Sequence, residues 1–182
     1  MAIPRISLPA SFDRFDQRFD VWWEPARRSA VLDRVFYTAS EVGDFGMVWL
    51  AIAAVEAAVG PASKTRVALR LAAALGAESI LVNGGVKSLF RRKRPEWAQE
   101  RPMHVRQPKT SSFPSGHSSS AITAAILLSE GAAVGAIPLY WVLAGIVATS
   151  RVHVKIHHGS DVVGGLAVGA LYGTLVKRLF PL

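Results

Sequence analysis

Phe113-Pro114-Ser115-Gly116-His117, followed after a long apolar interval by Ser150-Arg151, then His157 and then Asp161, is the stretch whose reading decides the fold. Between its two polar ends run two apolar segments, roughly 117–134 and 137–150, parted by Gly135 and Pro138. Two apolar segments joined by a short glycine- and proline-marked turn form a hairpin of helices, which returns both ends to one side. Outward from this hairpin lie apolar segments at roughly 45–60, 66–90 and 162–180, the first two parted by Gly60-Pro61. Several of the five are near the lower limit for crossing about 30 Å of hydrocarbon at about 1.5 Å per residue.

Composition supports the membrane as solvent. The 182 residues are 51% hydrophobic with a mean hydropathy of +0.29, more than a soluble domain of one-domain length usually carries. The formal charge of +8 fits nucleic acid, anionic lipid or an acidic substrate equally well. With no cysteine, thiolate metal sites, disulfides and thiol nucleophiles are excluded together. Asp13, Asp16, Asp20 and Glu24 rule out a cleavable leader in the first 25 residues.

Pro4 and Pro9 predict an irregular N-terminus, after which Ser11 is the expected cap of a helix starting at Phe12. Phe12, Phe15, Phe19 and Trp22 recur at helical spacing opposite Asp13, Arg14, Arg18 and Asp20, the pattern of an interfacial helix that Pro25 ends before a second piece reaching Tyr37. Gly165, Gly169 and Gly173, beside Gly164, form a stripe for close helix packing. Residues 91–112 form the only long polar connection. The predicted architecture is one all-α, multi-pass membrane helix bundle over 1–182. It comprises about five transmembrane helices in a core at 45–180 and an amphipathic region at 1–40.

Alternate crossing places Lys87, Ser115 to His117, Arg151 and the segment from His157 to Asp161 on the same membrane face. Lys87, Arg94 and Arg151 offer an ammonium and two guanidinium groups, whose forks match a phosphate dianion. Ser115 and Gly116 stand at a helix start, where free N–H groups face an anion and glycine permits close approach. His157 and Asp161, four apart, would meet on a helical turn, fixing the imidazole tautomer and making it a nucleophile candidate. His117 is left to protonate a departing alkoxide. Ser118, Ser119 and Ser120 read as packing hydroxyls, His158 as a solvated loop residue and Glu78 as a structural hydrogen-bonding group. His153 and His104 receive no role. Arg91-Arg92-Lys93 reads as anchoring charge beside anionic lipid or, flanking the site, as charge that concentrates an anionic headgroup, and Glu56, inside an apolar segment, is a functional suspect.

These three clusters resemble the signature of the type 2 phosphatidic acid phosphatase superfamily. Lys-x6-Arg-Pro stands at Lys87 to Arg94-Pro95, Pro-Ser-Gly-His at Pro114 to His117, and Ser-Arg-x5-His-x3-Asp at Ser150-Arg151, His157 and Asp161. The resemblance spans about 45–180 and leaves the first 40 residues outside it. It implies metal-independent hydrolysis without cofactors through a phosphohistidine on His157, oriented by Asp161. His117 would be acid and then base, with Lys87, Arg94, Ser115, Gly116 and Arg151 as the phosphate cradle. The family commonly shows six spans against the five counted here.

The expected substrate is a lipid phosphate, first a polyprenyl phosphate or diphosphate, with phosphatidylglycerophosphate, phosphatidic acid or a decaprenyl phosphoribose phosphate as alternatives. The composition resembles that of a high-GC bacterium, which implies its plasma membrane. A non-catalytic phospholipid binder or transporter would need neither His157 nor Asp161, the apolar segments disfavour a soluble haloperoxidase, and a nucleic-acid binder would need exposed stacking aromatics. Membrane face and oligomeric state are left open.

Overall fold

The computed structural model describes residues 6–97 and 103–182, so Pro4 and residues 98–102 of the polar connection lie outside the described residues. Seven helices carry the architecture: α1 (Ala10–Trp23), α2 (Ala30–Val42), α3 (Met47–Val59), α4 (Ala62–Ser79), α5 (Gly116–Glu130), α6 (Ile137–His153) and α7 (Gly159–Leu179). Helix α4 continues through a π turn (Ile80–Gly85) into a 3-10 turn (Val86–Leu89). Among the described residues the fold is all-α, as the apolar spacing predicts.

Among the described residues three helices are long and apolar enough to cross a membrane: α4 with its extension, α6 with the turn before it, and α7. A fourth span results if α2 and α3, bent by 65° at the Asp44–Gly46 turn, are taken as one. Five spans are therefore not reached by length. At 15 residues α5 covers only about 22 Å at about 1.5 Å per residue, and α3 is half of a bent pair.

Helix α5 is instead the central post of the bundle. Ala121, Ala124, Leu127 and Leu128 are buried and join Trp49 of α3, Leu71 and Ala74 of α4, and Tyr140 and Ala144 of α6 in one core. The glycine stripe of α7 lies flat on it. A Cβ on Gly165 would stand 2.3 Å from the Ser115 carbonyl oxygen, and one on Gly169 would stand 2.2 Å from that of Ser119. Only glycine lets the two backbones approach so closely.

Helix α1 departs from expectation at its start. Ser11 lies inside the first turn and caps nothing; Pro9, extended at φ −61°, ψ 151°, marks the boundary. Its faces are also not simply lipid against water. Val21 and Trp22 are exposed, but Phe19 packs with Ala148, Val152 and Val162, and Asp16, one turn after Phe12, is buried. Away from the polar clusters, Glu56 pairs with Lys64 at 2.7 Å and accepts from the Tyr140 hydroxyl. This suspect is accounted for by structural contacts.

Candidate active site

The turn after α6 explains the spacing between Arg151 and His157. Lys155 takes a left-handed conformation at φ 47°, and the amides of Ile156 and His157 both return to the Arg151 carbonyl at 3.0 Å. A left-handed residue just past a helix end is the usual way to satisfy terminal carbonyls. Here it folds His157 back beside the arginine that precedes it.

The interval from His157 to Asp161 also has a local cause, and not the expected one. His157 lies outside α7, so the pair does not share a helical turn. Asp161 occupies the third position of α7 and accepts the His158 backbone N–H at 2.9 Å, an acidic cap on the helix start. The same Oδ2 stands 3.4 Å from His157 Nδ1 and accepts from Ser112 Oγ. With Nδ1 facing a carboxylate, the proton belongs on Nδ1 and the lone pair on Nε2. That Nε2 is 3.3 Å from Arg94 Nη1. Burial, reinforced by the charges of Arg151 and Arg94, pushes the His157 imidazole down to about 3 against the pull of Asp161. It is neutral at physiological pH.

A cavity of about 350 Å³ lies in front of this pair, lined among others by Lys87, Gly116, His117, Arg151 and His157. Lys87 arrives there from the end of α4, just after the π turn, whose extra residue re-aims the side chains beyond it. Gly116 lies close to the end of α4, where a Cβ would stand 3.3 Å from Asn83 Oδ1 and 3.7 Å from Lys87 Nζ. Arg151, 1% exposed, donates to Ser40 Oγ. Two predicted cradle members sit differently. Arg94 lines an adjoining cavity that Lys87 also borders, and it donates to the carbonyls of Pro108, Thr110, Ser111 and Ile156 as well as facing His157. Ser115 is fully buried as the cap of α5, its Oγ accepting the Ser118 N–H at 3.3 Å.

Four neighbours of the site escaped the sequence. His117 Nε2 lies 3.0 Å from Asp44 Oδ1 and 3.2 Å from the Ser40 carbonyl, so it carries the proton and Nδ1 is left to exchange one. Asp44 sits one residue outside the first apolar segment, in a Gly-Asp-Phe-Gly turn where Phe45 and Gly46 are left-handed. That turn chemistry was its one local signal. Ser112 and Ser40 gave none. Arg92, expected at the lipid surface, is turned inward onto Asp161 Oδ1 at 2.6 Å. Of the remaining histidines, His153 is fully buried against Asp33 at 2.9 Å and Phe36, while His158 is half-buried, its Nε2 near the Lys93 carbonyl. Glu78 is buried beside the cavity.

Cations, a buried neutral imidazole and a second histidine around one cavity, in a bundle with helices long and apolar enough to cross a membrane, suit an enzyme that handles phosphate esters. The PAP2 superfamily profile matches residues 67–182, and the chain belongs to that superfamily. It is a lipid phosphatase. The decaprenylphosphoryl-5-phosphoribose phosphatase of Mycobacterium tuberculosis is 36% identical over 159 residues, 85% of this chain and 86% of that protein. The enzyme of the same name from Mycolicibacterium smegmatis is 35% identical over 129 residues, 69% and 67% of the two chains. Among solved structures, Aquifex aeolicus LpxE matches with a TM-score of 0.67 at 23% identity over 98% of this chain and 99% of its own. A PAP2 type phosphatidylglycerolphosphate phosphatase from Bacillus subtilis matches at 0.60 and 22% identity, over 94% of each. At 98% coverage the shared fold includes the N-terminal helices, which the sequence motifs alone left outside.

Proposed function

We propose that the chain removes the terminal phosphate from a polyprenyl-linked phosphoribose phosphate, through a phosphohistidine on His157. The observation that carries the chemistry is the orientation of His157, whose Nδ1 faces Asp161 and whose Nε2 faces the Arg94 guanidinium. The relatives support the substrate, since two mycobacterial proteins named for that lipid align with most of the chain. This narrows the broader expectation of a polyprenyl phosphate or diphosphate.

In the proposed reaction the Nε2 lone pair forms an N–P bond as the bond from phosphorus to the sugar oxygen breaks. His117, entering this step as the imidazolium with Nε2–H held by Asp44, gives its Nδ1 proton to the departing alkoxide. A phosphoryl oxygen replaces Nε2 as acceptor for Arg94, while Lys87, Arg151 and the first amides of α5 at Gly116 take the other oxygens. Ser115 contributes by fixing that helix start. Water then attacks phosphorus, His117 takes its proton, the N–P bond breaks, and inorganic phosphate leaves with His157 restored. No step calls for a metal. Helices α3 to α7 enter or cross the bacterial plasma membrane, and α1 lies at its surface with Val21 and Trp22 toward lipid.

The test is phosphate release by the detergent-solubilised chain, with chelator present, from polyprenyl-phosphoryl phosphoribose phosphate, polyprenyl diphosphate and phosphatidylglycerophosphate. The phosphoribose lipid is expected to have the highest kcat/KM. Acid-labile, base-stable label from a phosphate-labelled substrate should appear on His157 and vanish in His157→Ala. Label on Ser115 would reassign the roles.

A further inference from the structure

Arg92 lies outside the motif positions, yet its guanidinium has the most demanding set of partners near the site. Nη1 donates to Asp161 Oδ1 at 2.6 Å and to Ser160 Oγ at 2.7 Å. Nη2 pairs with Asp16 of α1, with Asp13 farther off at 3.6 Å. Asp16 is itself buried and does double duty: its Oδ1 accepts the Ser160 backbone N–H at 2.7 Å and its Oδ2 the Ser160 hydroxyl at 2.8 Å. It thus caps α7 from outside while gripping the arginine that reaches Asp161.

We propose that Arg92, clamped by Asp16, is a positioning residue that fixes the Asp161 carboxylate and through it His157, which makes α1 a working part of the catalytic site. The Asp161 carboxylate is fully buried, and its two oxygens have separate tasks. Oδ2 receives the Ser112 hydroxyl, the His158 N–H and His157 Nδ1; Oδ1 receives Arg92. Rotation of the carboxylate about its Cβ–Cγ bond would exchange these partners and pull Oδ2 from the imidazole. A forked guanidinium held at its other end by Asp16 opposes that rotation, whereas an ammonium could supply charge without the second anchor. A buried carboxylate oxygen deprived of its donor also carries a large desolvation penalty. The expectation that Arg92 serves as anchoring charge at lipid does not fit its geometry, because the side chain is 12% exposed and its partners are protein acids.

The inference rests on the reading of His157 as nucleophile. The test is rapid-quench labelling and steady-state hydrolysis by the full chain in detergent, using a polyprenyl-phosphoryl phosphoribose phosphate and a short-chain phosphatidic acid as probes. Arg92→Gln is expected to slow phosphohistidine formation about 10²-fold, the scale of a misplaced reacting group. Labelled fraction at completion and KM should stay within about two-fold on both probes, since Arg92 touches Asp161 and not phosphate. Asp16→Asn, the milder change, is expected to cost about 10-fold, and Arg92→Lys to fall between wild type and Arg92→Gln. The double variant should be no slower than Arg92→Gln alone, because Asp16→Asn keeps an oxygen for the Ser160 N–H and Asp16 otherwise reaches Asp161 through Arg92. A raised KM with unchanged labelling rate would make Arg92 a headgroup contact and overturn the proposal. Multiplicative losses in the double variant, or a reduced labelled fraction at unaltered rate, would overturn it equally. Absence of label on His157 in the wild type would instead remove the reading beneath it.

Discussion

Two histidines line the same cavity, each paired with an aspartate, and the two pairs are built on opposite plans. His157 and Asp161 are close in sequence and sealed: their side chains are 2% and 0% exposed, and both carboxylate oxygens are occupied by fixed donors. His117 and Asp44 come from distant parts of the chain, and their side chains are 14% and 20% exposed. The difference matches the work proposed for each. A nucleophile attacks along one line and gains from a rigid, dry, single tautomer. A group that donates a proton and then takes one from water must keep a path to water. Placing the acid beside His117 also steadies the imidazolium that forms when it accepts that proton.

The sharpest way to break this comparison is to neutralise the two acids in turn. Asp161→Asn keeps the shape but turns an obligate acceptor into a group that can donate to Nδ1, leaving the proton on Nε2, where the lone pair is needed. A loss of about 10⁴-fold in kcat is expected, the scale seen when a catalytic histidine is held in the wrong tautomer. Asp44→Asn leaves the Ser40 carbonyl 3.2 Å from His117 Nε2 to hold the ring, so about 10-fold is expected, mostly from lost stabilisation of the imidazolium. Equal losses in steady-state hydrolysis would mean that both pairs work alike.

The asymmetry also governs what the sequence could reveal. The Arg151 to His157 and His157 to Asp161 intervals are legible because each is a short-range device, a left-handed helix end and a helix cap that bring partners together without help from the rest of the fold. The glycines of α7 are legible for a similar reason: Gly165 and Gly169 leave room for the carbonyls of Ser115 and Ser119. Asp44 was not legible as a partner of His117, because nothing near residue 44 states that α5 will arrive there. Arg92 looked like one cation in a basic run, and only the packing of α1 against α7 brings Asp16 to meet it. His157 and Asp161 meet through a helix cap rather than a shared turn, since spacing of four fits a helical turn and a helix cap equally well. A span at α5 is not confirmed by its length, and apolarity does not decide it, because a helix buried in protein looks much like one buried in lipid.

A smaller effect separates the proposed roles by leaving group. Removing His117 in His117→Ala should slow hydrolysis of an alkyl phosphate ester by about 10²- to 10³-fold, the usual range for losing a general acid. An aryl phosphate, whose phenolate departs without a proton, should recover most of the rate of phosphohistidine formation in this variant, and none of it in Asp161→Asn. Recovery in both variants, followed by rapid quench, would show that orientation of His157 and protonation by His117 are not separate tasks.

The smallest expected effect is an absence of change, and it tests the seal itself. Burial holds the His157 imidazole at about 3 against the upward pull of Asp161, with Arg151 and Arg94 adding smaller downward pushes. An unfolded histidine titrates near about 6.5. Between those values the unfolded chain binds a proton that folded His157 refuses, so this residue's contribution to stability is complete above about 6.5 and declines as pH falls toward 3. In detergent micelles the ¹⁵N resonances of His157 should therefore keep the pattern of the neutral Nδ1–H tautomer from about pH 7 to about pH 5. A midpoint near about 6.5 would mean that water reaches the ring, and the contrast between a sealed nucleophile and an open acid–base pair would lose its physical basis.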